Sequence, residues 1–161
     1  PPREWLGNAS HNYPLHLVSG QPETRLHSQY DAGDFSRERK VNGRAPIHIN
    51  PTDATDRGIS NGDVVMISNQ RGTCLAGAVV TENIRAGVEF LWTGATYDHD
   101  LDHPDQLERH GNPNVLTHDM RTSRLSQGPA AQTALVQVSR FDDELPPVRA
   151  FEPPLKDPNG I

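Results

Sequence analysis

The apolar residues of this chain come in short runs, and each run is closed by turn-forming residues. The run at residues 15–18 is followed by Ser-Gly and a Pro, and Val88–Trp92 begins after a Gly and ends at Thr-Gly. Runs of this length between turn residues are typical of strands, and helical periodicity is scarce. The 13 Gly and 14 Pro among 161 residues exceed average usage, as many turns between short strands require. The sequence therefore predicts a mainly β fold.

Six segments carry the strand pattern, and one segment carries a helix pattern. The predicted strands are residues 15–18, 45–50, 64–68, 73–81, 88–92 and 133–138. Asn50 before Pro51 is a good helix N-cap and Gly58 is a stop signal, so a short helix is predicted between them. The Asn-Gln-Arg-Gly sequence of residues 69–72 predicts a hairpin turn. Cys74 falls on the apolar face of the following strand, as a small core residue would.

Charge and composition exclude several classes of protein. The chain has 21 acidic and 15 basic residues, and a net charge of -6 argues against a nucleic-acid partner. No apolar run is long enough to cross a bilayer, so no membrane span is expected. A single Cys cannot form an internal disulfide. We find no P-loop, nucleophile elbow, dinucleotide fingerprint or Ser-His-Asp arrangement, and therefore predict no catalytic residue and no metal ligand in this chain.

The length fits one domain, with flanking segments of different composition. Residues 15–141 are predicted to form that domain. Residues 1–14 are expected to lead in from a preceding domain, and the Pro-rich residues 142–161 to be an extended tail that wraps the surface or leads away. Residues 30–44 carry so many charges that an exposed loop is predicted. Because the chain begins with Pro-Pro rather than Met, we expect a piece of a longer protein.

A polar segment of unusual composition, residues 19–29, follows the first predicted strand. It contains Ser, Gln, Thr, Arg and His side chains around a single apolar anchor, Leu26. Most of these groups can both donate and accept hydrogen bonds, and Arg25 can hold a phosphate with a bidentate fork. The segment therefore suits a polar ligand that carries phosphate. It also suits a well-capped surface loop, and the residues alone leave both alternatives open.

Two later segments have similar chemistry. Residues 111–117 read Gly-Asn-Pro-Asn-Val-Leu-Thr, and residues 122–127 read Thr-Ser-Arg-Leu-Ser-Gln. Their amide and hydroxyl groups have donors and acceptors that suit the edge of a heterocycle. The second segment comes shortly before the last predicted strand, which would bring it close to the sheet.

These three segments, in this order around the hairpin at residues 62–72, resemble the C-terminal domain of molybdenum oxidoreductases of the dimethyl sulfoxide reductase superfamily. The resemblance extends over roughly residues 15–138 and is nearest to the biotin sulfoxide, trimethylamine N-oxide and dimethyl sulfoxide reductases. Each motif is short, and their common order makes the match specific to the family. The fold that the resemblance implies is a double-psi β-barrel, mainly β with a few short helices.

The resemblance also implies a cofactor and a set of residues that face it. The cofactor is molybdenum bis(molybdopterin guanine dinucleotide), shared with domains outside this chain. The implied cofactor-facing residues are Ser19, Gln21, Arg25, Leu26, His27, Ser28 and Gln29 in the first segment, and Asn112, Asn114, Arg124, Ser126 and Gln127 in the later ones. Arg25 would meet a pyrophosphate, His27 and Ser28 would lie near the pterin, and the amides would meet ring edges. We therefore expect the three segments to converge on one face.

For a whole enzyme of this family, the resemblance implies oxygen-atom transfer from an S-oxide or N-oxide. The oxygen would leave as water after the addition of two electrons and two protons. In the family a Ser from another domain ligates the metal, and no residue here matches it. The expected partners are therefore the remaining domains of a parent reductase and its small-molecule substrate. This chain alone is expected to be inactive and to hold the dinucleotide weakly.

A second function is compatible with a barrel of this kind. In the N-terminal domains of some AAA ATPases, a double-psi barrel is an adaptor or substrate-recognition module without a redox role. Its polar loops would then bind protein. Residues 25–29 and 112–117 on one face would favour cofactor binding, and the same residues on opposite faces would favour the adaptor.

Residues 97–110 contain His and Asp at a density that suggests a metal site. Their spacing matches no closed set of ligands, and a solvated acidic insertion explains them equally well. We therefore expect that this stretch binds no structural ion. Elemental analysis after dialysis checks this expectation, and stoichiometric zinc would contradict it.

Overall fold

The computed structural model describes residues 7–100 and 107–153. Strands dominate these residues: β1 (Leu15–Gly20), β2 (Pro46–Ile49), β3 (Val64–Asn69), β4 (Gly72–Val80), β5 (Val88–Trp92), β6 (His99–Asp100), β7 (Leu107–Glu108) and β8 (Thr133–Arg140). The helices are short: α1 (Ala9–Asn12), α2 (Asp34–Arg37), α3 (Pro51–Asp56) and a 3-10 turn at Pro113–Val115. None of the helices in the described residues could span a bilayer.

Six strands close into a barrel in the order β1, β8, β3, β4, β2, β5 and back to β1. The pairs β1–β5 and β2–β4 are parallel, and the other four pairs are antiparallel. A parallel pair needs a connection that returns from one end of the barrel to the other. Two such crossings within one closed ring give the double-psi arrangement, so the predicted fold is confirmed. β7 adds to β4 outside the ring, and β6 pairs with β7.

Alternate residues of the barrel strands point inward and form the core. β1 contributes Leu15 and Leu17, and β3 contributes Val65 and Ile67. The other inward residues include Ile47, Ile49, Cys74, Ala76, Ala78, Leu91, Ala134, Val136 and Val138. A period of two is what a strand with one buried face requires. The small residues of β4 leave room for the larger Leu and Ile side chains opposite them.

The local signals read from the sequence are confirmed where the chain turns. The Asn50 side chain accepts a hydrogen bond from the Thr52 N–H at 2.9 Å, with Pro51 at the start of α3. Gly58 follows α3 with a φ of 63°. Asn69 pairs with Gly72 at the end of the β3–β4 hairpin. Cap, proline and hairpin residues act on the backbone of their nearest neighbours. The sequence therefore predicts α3 and the β3–β4 hairpin.

The prediction that residues 30–44 form an exposed loop is wrong for three charged side chains, those of Asp31, Lys40 and Arg44, whereas Asp34, Arg37, Glu38 and Arg39 are exposed. Asp31 and Lys40 have side chains that are only 0% and 2% exposed, and their charges pair at 2.7 Å. Arg44 is also buried. Charged groups can be buried when they are paired and hydrogen-bonded. The partners that make this possible lie far along the chain, so the local charge count is misleading.

Residues 142–153 pack back against the barrel. Arg44 Nη2 donates a hydrogen bond to the Pro146 carbonyl at 2.6 Å. The Asp98 carboxylate accepts hydrogen bonds from the backbone N–H groups of Arg149 and Ala150, at 2.5 and 3.1 Å. These hydrogen bonds hold residues 146–150 against the rest of the described chain. The rest of the tail and residues 1–6 of the lead-in lie outside the described residues.

Glu89 on β5 is a buried carboxylate with no hydrogen-bond partner among the described residues. Burial and the nearby Asp53 carboxylate raise the pKa of Glu89 to about 8, and Arg57 opposes that rise only partly. The folded protein therefore keeps this proton at pH values where the unfolded chain, with an ordinary value of 4.5, has lost it. The free energy of unfolding must fall as the pH rises between these two values.

We predict that Glu89→Gln removes this decline. At pH 8.5 the variant should gain roughly 1–4 kcal/mol in free energy of unfolding, because each pKa unit is worth about 1.4 kcal/mol. At pH 4.5 it should differ little from wild type. Urea denaturation at both pH values measures the difference, with the exposed Glu82→Gln as the control. Parallel pH profiles for Glu89→Gln and wild type would contradict the prediction.

Candidate functional site

Several polar loops meet at one end of the barrel, where β1 and β5 finish and β8 begins. Because β1 and β5 are parallel, the segments after Gly20 and Trp92 leave at the same end. The Thr93 N–H donates to the Gly20 carbonyl at 2.9 Å. β8 is antiparallel to β1, so the segment before Thr133 arrives there, and the Ser19 N–H donates to the Gln132 carbonyl at 3.0 Å. Backbone hydrogen bonds thus join the start of the first predicted segment, residues 19–29, to the chain that follows the third, residues 122–127.

A tight turn presents the exposed part of the first segment. Leu26 and Gln29 exchange two backbone hydrogen bonds, at 3.2 and 2.9 Å, so His27 and Ser28 project at the tip. The side chains of all four residues are exposed. His27 has a φ of 51°, which is uncommon outside Gly. The Gln21 side chain donates to the Arg25 carbonyl and closes the base of the loop.

Arg25 lies beneath this turn rather than at its surface. Its side chain is 1% exposed and forms an ion pair with Asp31 at 3.1 Å. Nε and Nη2 both donate to the Thr93 carbonyl, at 3.1 and 2.9 Å. In this arrangement the guanidinium joins the first loop to the segment after β5, and its donors are used inside the protein.

The loop after β7 is held in a similar way. The Glu108 carboxylate accepts hydrogen bonds from the backbone N–H groups of Asp98, His110, Gly111 and Asn112, at 2.7 to 3.1 Å. Burial raises the pKa of Glu108 to about 7, and these four donors oppose the rise. The Asn112 side chain donates to the Ala95 carbonyl at 2.9 Å and accepts from the Asn114 N–H at 3.0 Å. Asn112 is therefore buried and committed, whereas Asn114 is exposed.

Two adjoining depressions open beside these loops. The larger, of about 780 Å³, is lined by His118, Asp119, Met120, Arg121, Thr122, Ser123, Arg124, Ala130 and Thr133. The smaller, of about 410 Å³, is lined by Asn114, Thr117, His118, Asp119, Met120, Arg121, Gln127, Pro129 and Ala131. Asn114 from the second predicted segment and Gln127 from the third share the smaller depression. Two arginines, Arg121 and Arg124, stand at the wall of the larger one.

The structure thus brings the three predicted segments to one end of the barrel, with their residues in two environments. Ser19, Arg25 and Asn112 are buried. The exposed members are Gln21, Leu26, His27, Ser28, Gln29, Asn114, Arg124, Ser126 and Gln127. The Ser126 carbonyl accepts the Ser123 N–H at 3.2 Å, which forms a tight turn at the tip of the third segment. The buried members form hydrogen bonds within the protein, and the exposed members face solvent.

Comparison with known families identifies this arrangement. The model of the family described as the molydopterin dinucleotide binding domain matches residues 15–135, which include the whole ring of strands except the end of β8. The chain belongs to this family. The family takes its description from the binding of this dinucleotide.

Similar proteins are trimethylamine-N-oxide reductases. The enzyme called trimethylamine-N-oxide reductase 1 of Escherichia coli O157:H7 is 45% identical over 152 residues, covering 93% of this chain and 18% of that protein. The Haemophilus influenzae enzyme is 43% identical over 155 residues, covering 95% and 19%. The Vibrio vulnificus enzyme is 38% identical over 151 residues, covering 93% and 18%. The chain spans about a fifth of the length of these relatives.

A solved structure shares the fold at low sequence identity. Acetylene hydratase from Pelobacter acetylenicus superimposes with a TM-score of 0.64 at 15% identity, over 83% of this chain and 19% of that chain. At that identity the likeness shows the architecture alone.

The larger depression is lined in part by residues that the sequence analysis did not single out. His118, Asp119 and Arg121 lie in the short link between the second and third predicted segments. The signal available was position, because a short link between two segments must lie near both of them. Asp31 was missed for another reason, since it sits in a segment predicted to be exposed.

The stretch at residues 97–110 is organised around ion pairs where it is described. Arg109 pairs with Asp98 at 2.6 Å and with Asp100 at 3.4 Å. No group of three or more His, Cys, Asp or Glu side chains suited to a metal occurs among residues 7–100 and 107–153. Residues 101–106 lie outside that range. The expectation that the stretch binds no structural ion stays a prediction.

We predict that Gly94→Ala disturbs the first loop. Gly94 has a φ of +80°, and a Cβ there would lie 2.0 Å from the His27 carbonyl oxygen. The variant should lose about 3 kcal/mol in free energy of unfolding, about 1–2 from the left-handed backbone and the rest from the clash. Gly58→Ala is the control, because its φ is +63° and nothing lies within 4 Å. Equal losses in urea denaturation would show that the turn does not depend on Gly94.

Proposed function

We propose that this chain is the cofactor-binding, C-terminal domain of a molybdenum oxidoreductase that reduces trimethylamine N-oxide or a related N-oxide. The identities of 38% to 45% to trimethylamine-N-oxide reductases over nearly the whole chain support this proposal. They favour an N-oxide over the biotin sulfoxide and other S-oxides that the resemblance also implied. The share of 18% of each relative supports the presence of further domains in the parent enzyme.

The observation that carries the proposal is the larger depression with two arginines in its wall. A pterin dinucleotide contains a pyrophosphate, and Arg121 and Arg124 are the groups here that suit it, since guanidinium binds phosphate oxygens in a bidentate manner. The chain carries a net charge of -6, so an anionic ligand needs such a local concentration of positive charge. The exposed amides of Asn114 and Gln127 stand ready for the edges of a heterocycle. These guanidinium and amide groups therefore match the pyrophosphate and the heterocycle edges of a pterin dinucleotide.

The twelve predicted residues divide into two roles in this proposal. His27, Ser28, Gln29, Asn114, Arg124 and Gln127 would contact the dinucleotide, with Gln21, Leu26 and Ser126 at the margins of the contact. Ser19, Arg25 and Asn112 would position the loops, because their polar groups bond within the protein. Arg25 therefore supports the pyrophosphate site from behind the first loop rather than by direct contact.

The bound molybdenum centre would supply the oxygen-atom transfer itself. The residues of this chain bind and orient the cofactor, and none is assigned a catalytic role. We propose the bis(molybdopterin guanine dinucleotide) form, shared with the remaining domains. Residues 15–141 would be the binding barrel, with residues 1–14 as the connection to the preceding domain and residues 142–161 as a tail.

The adaptor function is the weaker alternative. It would be favoured by polar segments on opposite faces of the barrel. Here a Cβ on Gly94 would touch His27, and Ala95 accepts a hydrogen bond from Asn112, so the first two segments lie side by side. Their proximity supports one shared ligand.

We predict that Arg124→Ala and Arg121→Ala each lower the molybdenum and pterin content of the full-length protein. Loss of a charge-assisted contact should weaken cofactor binding about tenfold or more. Molybdenum per protein by elemental analysis and pterin by fluorescence after release measure the content. Arg85→Ala is the control, because Arg85 is exposed beside the start of β5, at the other end of the barrel. Wild-type content in both variants would overturn the assignment of these arginines to the pyrophosphate.

A further inference from the structure

Asp31 is a completely buried carboxylate on which several segments meet. Its Oδ1 accepts hydrogen bonds from Lys40 Nζ at 2.7 Å and Ser36 Oγ at 3.2 Å, and pairs with Arg25 Nη1 at 3.1 Å. Its Oδ2 accepts the Thr96 N–H at 2.7 Å. His110 Nδ1 lies 3.9 Å from Oδ2 and hydrogen-bonds the Thr96 carbonyl at 2.7 Å. A single side chain thus joins groups from residues 25 to 110.

Three of these neighbours, Arg25, Thr96 and His110, lie next to or near residues that we propose to contact or support the cofactor. Arg25 immediately precedes the turn that presents His27 and Ser28. Thr96 follows Ala95, whose carbonyl accepts the Asn112 side chain. His110 is two residues before Asn112. Displacing Asp31 would therefore release the first loop, the segment after β5 and the loop after β7 together.

Phe151, in the chain beyond the barrel, packs against this buried cluster. Its ring is nearly perpendicular to that of His110, with 5.0 Å between the ring centroids. Lys40 Nζ lies 5.7 Å from the same ring. Ion pairs and hydrogen bonds are stronger where water is excluded, and the loss of one partner there is costly.

Asp31 keeps its negative charge at neutral pH and in mild acid. Burial alone would raise the pKa of Asp31, but the Lys40 and Thr96 hydrogen bonds and the Lys40 and Arg25 charges lower it to about 2. Burial and the Lys40 charge lower the pKa of His110 to about 4, so its imidazole is neutral. The cluster is a fixed support and not a pH switch.

We infer that Asp31 is the positioning residue of the proposed cofactor site, which holds three ligand-facing loops in register from a buried point behind them. This inference rests on the proposed function. Asp31 itself would not contact the dinucleotide. Its effect on the cofactor passes through Arg25, Thr96 and His110.

The test compares Asp31→Asn with Asp53→Asn in the full-length protein. Asp53 is a matched control because it too is buried, accepts a backbone N–H from Gly87 at 2.7 Å and lies 3.8 Å from a guanidinium, that of Arg57. Gly87 precedes β5, so Asp53 sits at the opposite end of the barrel. Both variants remove a buried negative charge, and both should lower the melting temperature.

Two measurements separate positioning from stability. The first is the rate at which pterin is released from the purified protein, followed by fluorescence well below the melting temperature. The second is amide hydrogen exchange in peptides covering residues 22–30, 93–97 and 110–116. In Asp31→Asn, release should accelerate about tenfold or more and exchange should rise in all three peptides. In Asp53→Asn both should match wild type at these loops.

The inference is overturned if Asp31→Asn and Asp53→Asn show the same release rate and the same exchange. If Asp31→Asn does not accumulate as folded protein, Lys40→Met takes its place, since it keeps the Arg25–Asp31 pair and removes one contact. It should then raise exchange in the same three peptides, and unchanged exchange would overturn the inference. Wild-type protein that carries no pterin dinucleotide would refute the proposed function, while the exchange measurement would still decide whether Asp31 positions the loops.

Discussion

Closure of the barrel by the parallel pairing of β2 with β4 is the constraint on which the rest of the structure depends. Without it the six strands would form an open sheet with two free edges, and β2 would pair only with β5. Closure satisfies the backbone groups of both edges and encloses one apolar core. Within the closed ring, the parallel β1–β5 pair and the antiparallel β1–β8 pair fix strand direction, so that the chain leaves β1 and β5 at the same end at which it enters β8.

A rigid ring does not by itself order the long connections that leave it. These loops contribute few apolar residues to the core, among them Ala95 and Leu116, so hydrophobic burial holds them only in part. Buried carboxylates organise the rest, with Asp31 behind the first loop and Glu108 beneath the loop that contains Asn112. A carboxylate accepts several hydrogen bonds at once, and can therefore fix several segments whose own sequences specify little structure.

Local signals in the sequence predict the six strands of the barrel and α3, but not β6 and β7, because a proline, a cap or a glycine with positive φ acts on its nearest neighbours. The limits of Val88–Trp92 are found in this way, with Gly87 and Gly94 at φ +80° on either side. The polar segments of the candidate site are found from their composition and order. Burial of Asp31 could not be found, because Thr96 and His110 lie far away in sequence. The burial of the Arg25 side chain could not be predicted for the same reason, since its acceptor is the carbonyl of Thr93, far along the chain.

The division between buried and exposed polar groups bears on how an acidic domain can bind an anion. Arg25 and Lys40 share one carboxylate, Asp31, so the buried cluster carries a net positive charge behind the first loop. Its field reaches the loop surface through protein, where screening by salt is weaker than in water. Arg121 and Arg124 add exposed positive charge at the depression. A phosphate-bearing ligand would thus meet buried positive charge behind the loops and exposed positive charge beside them, although the domain as a whole is negative.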